Sequence, residues 1–170
     1  RVRSSAASDV YKRQLHINDM CINNSGFKEK FLLKVFLETS STNSLRDISS
    51  ISSLINNILF NKIQICINRN VDIILIIGPH AITHIKDVIP NAISKSGAKI
   101  IRFGIPVEPG NLLLLSKFKS SNKDIYIIGM PSCAKSPKEN GFDWVLWRIL
   151  CNLNFKNSNI NELSVGGLIK

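Results

Sequence analysis

Apolar positions along this chain follow two rhythms. Ile48, Ile51, Leu54, Ile55, Ile58 and Leu59 recur at spacings of three and four, with Ser and Asn between them. That spacing predicts an amphipathic helix running on through Ile63 and Ile67 and stopping near Asn68–Asn70. The next stretch, Asp72-Ile-Ile-Leu-Ile-Ile77, is an unbroken β-branched and leucine run ended by Gly78. A strand buried on both faces of a parallel sheet reads this way.

The same alternation of elements continues downstream. Asp87 stands at an N-cap position before a helix whose apolar face is Val88, Ile89, Ala92 and Ile93. Pro90 falls in its first turn, where a missing N–H costs little, and Gly97 is a suitable terminator. Lys99–Ile105 predicts a strand, so Ile73–Ile105 forms a β-loop-α-β unit with a right-handed crossover and parallel strands. Pro106 and Pro109-Gly110 make a rigid turn into Leu112–Leu115, and Ser120–Lys123 is a polar turn. Ile125–Ile128 follows as a strand, with antiparallel pairing to the leucine run as one option. After the Pro131–Pro137 loop comes a helix with Phe142, Val145, Leu146, Ile149 and Leu150 on one face and Trp144 and Trp147 at the core's edge. Asn157–Lys170 holds one short helical turn and a Gly166-Gly167 break.

Upstream signals are weaker. Leu15–Ile22 is a strand candidate, Asn23–Gly26 a turn, and Thr39–Ser44 a loop. Phe31–Leu37 is strongly apolar, but seven residues cannot separate a strand from the start of a helix. Arg1–Gln14 differs in composition from all that follows and reads as a non-native or disordered leader. The chain thus divides into 1–14, a domain over 15–157, and a tail over 158–170.

Composition narrows the function classes. Hydrophobic residues make up 44%, yet no run approaches the ~18 uninterrupted apolar residues of a membrane helix. The formal net charge is +10, and three of those charges lie in the first fourteen residues. The other lysines are scattered without a basic helix face or an aromatic platform, so nucleic acid is the weaker partner reading and a small anion the stronger. Cys21, Cys66, Cys133 and Cys151 are far apart and form no C-x-x-C pair, which fits reduced thiols in a cytoplasmic protein.

In open α/β sheets ligands sit outside the carboxyl ends of the strands. The candidate site is therefore sought in the loops Gly78–Asp87, Pro106–Asn111 and Pro131–Ser136. Asp87 is either a simple cap or a carboxylate facing the crevice, able to hold Mg²⁺ or accept bonds from a ligand's amino groups. Pro109-Gly110-Asn111 is either a plain turn or a place where backbone approaches a ligand while the Asn111 amide donates and accepts. Pro131–Ser136 leads to a helix start, where free N–H groups favour a phosphate, with Ser132, Lys135 and Ser136 as further donors. His80 and His84 read as solvated loop residues rather than a metal pair, and Cys133 as a packing residue rather than a nucleophile. No Walker loop, G-x-G-x-x-G or Ser-His-Asp set is present.

Three blocks carry a family resemblance. They are Gly78-Pro-His-Ala-Ile-Thr-His-Ile-Lys-Asp87-Val-Ile-Pro-Asn-Ala-Ile, Phe103-Gly-Ile-Pro-Val-Glu-Pro-Gly-Asn-Leu-Leu-Leu-Leu115, and Gly129-Met-Pro-Ser-Cys-Ala-Lys-Ser-Pro-Lys-Glu-Asn-Gly-Phe-Asp-Trp-Val-Leu146. Together they resemble the molybdopterin-binding (MoaB/Mog-like) domain, in the branch fused to a nucleotidyltransferase domain in molybdenum-cofactor biosynthesis. The resemblance implies a three-layer α/β/α fold with a mostly parallel sheet, a homo-oligomer, and molybdopterin or its nucleotide form as ligand. It assigns binding to Gly78, Ala81, Thr83, Pro109, Gly110, Asn111, Pro131, Ser132 and Ser136. Asp87 takes the catalytic and metal-binding role, with Mg²⁺ as its ion. The implied activity is of the molybdopterin nucleotidyltransferase or molybdotransferase type. Pro79-His80 replaces the family's two glycines and Pro131-Ser132 its Pro-Gly; the first change removes an N–H donor and fixes φ. A non-catalytic assembly or scaffold module that has lost pterin chemistry is the alternative.

Overall fold

The long amphipathic repeat forms helix α1, Ile48–Asn68, as its spacing predicts. The computed structural model describes residues 48–78, 80–121, 123–151 and 157–163. The leader, Leu15–Ile22, the Asn23–Gly26 turn, Phe31–Leu37, Thr39–Ser44 and Gly166-Gly167 lie outside the described residues. Helix α1 stops because Asn70 takes a left-handed φ of 54°, which Asn tolerates better than most residues. The amide of Asn70 then bonds the Ile67 carbonyl, closing the turn into the first strand.

From there the order is β1 (Ile73–Ile76), α2 (Val88–Lys95), β2 (Lys99–Phe103), β3 (Leu114–Lys119) and β4 (Asp124–Gly129). A single 3-10 turn at Ser132–Lys135 precedes α3 (Gly141–Leu150) and the short α4 (Asn157–Glu162). Asp87 caps α2 as expected, and Gly97 follows its end with a positive φ of 86°. None of the helices among the described residues is long and apolar enough to cross a membrane.

The four strands form one sheet in the order β1-β4-β3-β2. Only β1 and β4 pair in parallel, while β4–β3 and β3–β2 are antiparallel. Among the described residues the expected mostly parallel sheet is therefore a mixed one. The cause is connection length: a turn as short as Ser120–Lys123, closed by the Ser120 amide on the Lys123 carbonyl, joins only antiparallel neighbours. The antiparallel pairing of the leucine run with Ile125–Ile128 is observed, with Leu115 opposite Ile128. Strands β1 and β2 do point the same way, but β4 and β3 lie between them.

Alternation along the strands divides the interior in two. Ile73, Leu75, Leu115 and Ile128 join Phe142, Val145, Leu146 and Ile149 of α3 and Ile160 of α4. Ile74, Ile76, Leu114, Ile125 and Ile127 join Leu59, Ile63 and Ile67 of α1 and Ile89, Ala92 and Ile93 of α2. Both faces of β1 are thus covered, which explains its unbroken apolar sequence. Each such aliphatic side chain withdrawn from water contributes roughly 1.5–3 kcal/mol before the entropy of ordering is charged. Trp144 and Trp147 are half-buried at the edge, as their positions suggested.

Gly129, the last residue of β4, sits where two layers press hardest. A Cβ there would stand 2.5 Å from Ile82 Cδ1 and 3.1 Å from Leu114 Cβ. Gly129→Ala is therefore expected to lower stability by about 1–3 kcal/mol through overpacking. Leu54→Ala, on the 59% exposed Leu54 of α1, should change it by less than about 0.5 kcal/mol. Urea unfolding of the two variants beside the wild type measures both.

Candidate functional site

One row of residues crosses the whole sheet in register. Ile76 pairs with Gly129, Gly129 with Leu114, and Leu114 with Phe103. Beyond that row the chain leaves β1 as the Gly78–Asp87 loop, leaves β2 and enters β3 as the Gly104–Leu113 loop, and leaves β4 as the Met130–Lys138 loop. All three candidate loops consequently depart from the same rim. With strands about 4.8 Å apart, the outer two loops start about 14 Å from each other, with the third between them.

The first loop bends over the α1/α2 face. Ile82 is buried and fills the space left open by Gly129, which anchors the loop on the strand beside its own. Asp87 is half-buried, and its Oδ1 accepts the Val88 N–H at 2.8 Å, so the capping role is met. The Asp87 amide bonds the His84 carbonyl at 3.0 Å, and His84 Nδ1 accepts the Lys86 N–H. Both histidines are exposed loop residues. Gly78 and Ala81 are half-buried and Thr83 is exposed. A Cβ on Gly78 would come within 2.9 Å of Ile89 Cδ1 and 3.2 Å of the His80 carbonyl oxygen, so α2 and the loop pack close against this glycine.

The second loop is pinned at both ends by backbone bonds. The Gly104 amide donates to the Leu113 carbonyl and the Ile105 amide to the Asn111 carbonyl, each at 2.8 Å. The Glu108–Pro109 peptide is cis. Gly110 has φ 127°, and a Cβ there would lie 2.8 Å from both the N and Cα atoms of Gly141. Two backbones are in direct contact at this point, sealed by the Gly141 amide donating to the Pro109 carbonyl at 2.8 Å. Pro109 and Asn111 stay exposed beside the buried Gly110.

The third loop corrects the sequence reading of Pro131–Ser136. It was expected to end at a helix start offering free N–H groups. Instead Ser132–Lys135 is one 3-10 turn, and α3 begins only at Gly141. The N–H groups of α3 are also taken. Asn140 accepts from Phe142, Asp143 Oδ2 accepts from the Asn140 amide, and Pro109 accepts from Gly141. The anion site expected of a helix N-terminus is closed by the chain's own acceptors. Ser132 remains exposed, and Ser136 Oγ accepts the Lys138 N–H, leaving its own proton to donate.

No family model matches this chain, and no curated protein does. The site must be judged on its own geometry. Pro109 and Gly110 meet the third loop through the start of α3, whereas Gly78, Ala81, Thr83 and Asp87 reach the same rim from the other side of the sheet, through Ile82. Asp87, Asn111 and Ser136 each bond within their own loop. Among the described residues no three His, Cys, Asp or Glu groups gather to hold a metal, and Asp87 brings one carboxylate already engaged with Val88.

Sequence reasoning passed over Asn140 and Gly141. The signal was present in Asn140-Gly-Phe-Asp143, a cap residue followed three places later by an acid, which is the pattern of a capping box.

Cys133 is half-buried. Burial pushes its thiol up, and the Glu108 and Asp143 carboxylates push it further, outweighing backbone hydrogen bonds that act the other way. Since the thiolate is the nucleophile, a raised thiol disfavours reaction at neutral pH. Glu108→Gln removes one opposing charge, so the pH midpoint of Cys133 alkylation should move down and labelling at pH 8 should quicken. Mass spectrometry of the Cys133 peptide reads this, and an unmoved midpoint would contradict the proximity of Glu108.

Proposed function

We propose that this chain is a molybdopterin-binding domain of the MoaB/Mog-like kind, serving molybdenum-cofactor biosynthesis in the cytoplasm. In this reading the helices and sheet make a three-layer α/β/α unit that works as a homo-oligomer joined to a nucleotidyltransferase domain. The ligand is molybdopterin or its nucleotide form. The observation that supports it is the common rim: the register from Ile76 through Gly129 and Leu114 to Phe103 sends all three candidate loops out of one end of the sheet.

The chemistry on offer at that rim suits a hydrogen-bonding anion with amino groups. The Asp87 carboxylate accepts from ligand N–H groups, and the exposed Asn111 amide both donates and accepts. Ser132 and Ser136 hydroxyls donate to phosphate oxygens, with Lys135 exposed beside them. Gly110 leaves the turn without a side chain where it meets α3. Bound molybdopterin would supply the dithiolene that holds molybdenum, and the residues named here would only bind and orient it.

A second reading is favoured by one specific observation. The start of α3 is filled by Asn140, Asp143 and Pro109, so a phosphate has no place at that helix N-terminus. A module that keeps the fold for assembly, without transferase or molybdate-insertion activity, fits that closure.

Calorimetric titration with molybdopterin separates the two. Asp87→Ala would also remove the α2 cap, at about 1 kcal/mol, whereas Asp87→Asn keeps a capping acceptor and loses only the charge. The pterin reading expects binding by the wild type, weakened about tenfold or more in Asp87→Asn, with an unchanged melting midpoint. Equal binding by both proteins removes Asp87 from the site. No binding by the wild type, with its oligomer intact in light scattering, leaves the assembly reading.

A further inference from the structure

Asn140 is 1% exposed and holds four groups at once. Its Oδ1 accepts the Phe142 N–H at 3.1 Å, and its amide N–H donates to Asp143 Oδ2 at 2.9 Å. Its Nδ2 donates to the carbonyls of Lys138 at 3.1 Å and Cys133 at 3.4 Å. The first two bonds belong to α3. The second two belong to the loop that leaves β4, and nothing in capping a helix requires them. The next residue, Gly141, carries the other loop: its amide holds the Pro109 carbonyl, its missing side chain admits Ile105 and Val107, and the missing side chain of Gly110 lets that turn close on Gly141.

We infer that Asn140 is a positioning residue for the rim, fixing the Met130–Lys138 loop on the start of α3 beside the Pro109-Gly110 turn. The assignment rests on its side chain facing two ways. A carboxamide is at once acceptor for the helix and donor for the loop, and no other capping side chain does both with two N–H bonds. Asp in its place keeps the helix cap and has no donor for the loop, and Ser keeps the cap with one O–H donor on a shorter stem in place of two N–H bonds. The two loops lie close enough here for the Glu108 carboxylate of one to help raise the Cys133 thiol of the other. The inference deepens the pterin reading by naming what holds Ser132 and Ser136 in place, and relies on that reading only for the identity of the ligand.

The test uses the whole chain with Asn140→Ser, and Asn140→Asp as a second variant. Hydrogen exchange followed by mass spectrometry compares the loop peptide around Ser132–Lys138 with the β1 peptide around Ile73–Ile76. Loss of the two loop bonds should speed exchange in the loop roughly tenfold and leave β1 unchanged. Exchange that rises equally in both peptides, or that rises in neither, overturns the assignment, as does failure of both variants to fold. Molybdopterin titration of the same variants is read separately. Weakened binding with a loosened loop supports both inferences. A loosened loop in a protein whose wild type binds no pterin keeps the positioning role and discards the ligand.

Discussion

The fold depends on four strands ending level with one another. Because Phe103, Leu114, Gly129 and Ile76 share a row, the connections that follow have only one side of the molecule to occupy. Gly129 in the middle of that row makes the arrangement compact. Its absent side chain lets Ile82 descend from the first loop onto Leu114, so a loop from the outer strand is fastened to the strand inside it. Packing at this density tolerates little adjustment, which makes the shared rim a property of the core.

The rim is unequal across its width. On the α1/α2 side the first loop rests on an aliphatic contact and a helix cap, and its polar side chains face outward. On the α3 side the second loop is joined to the start of α3 by backbone atoms, through Gly110 against Gly141 and Pro109 onto the Gly141 amide. That junction uses up the N–H groups that commonly bind phosphate at a helix start. In the proposed function, polar recognition there would fall to side chains such as Asn111, Ser132 and Ser136.

Much of this was legible in the sequence, for identifiable reasons. The period of α1, the apolar run of β1, Asp87 as a cap and Gly97 as a terminator are local signals, and local signals survive folding. The face of α3 was readable from Phe142 to Leu150 for the same reason. Strand order was not, because no residue of β1 announces that β4 will be inserted beside it. The mixed sheet follows from the short Ser120–Lys123 turn, whose length excludes a parallel neighbour and was the clue available. The candidate residues Asp87, Pro109 and Gly110 were singled out by residue type, while the role of Asn140 depends on two carbonyls brought to it by a loop.

The far end of the sheet is secured differently. There Lys123, in the turn before β4, meets Asp72 just ahead of β1 at 2.6 Å, and Lys117 meets Asp124 at 3.0 Å with its ammonium over the Tyr126 ring. These are partly exposed charges, which dissolved ions weaken, whereas the Gly110–Gly141 junction carries no net charge. Ionic strength therefore acts on the two ends unequally: brine would slacken the turn that carries Lys123 and leave the opposite mouth of the sheet as tight as before.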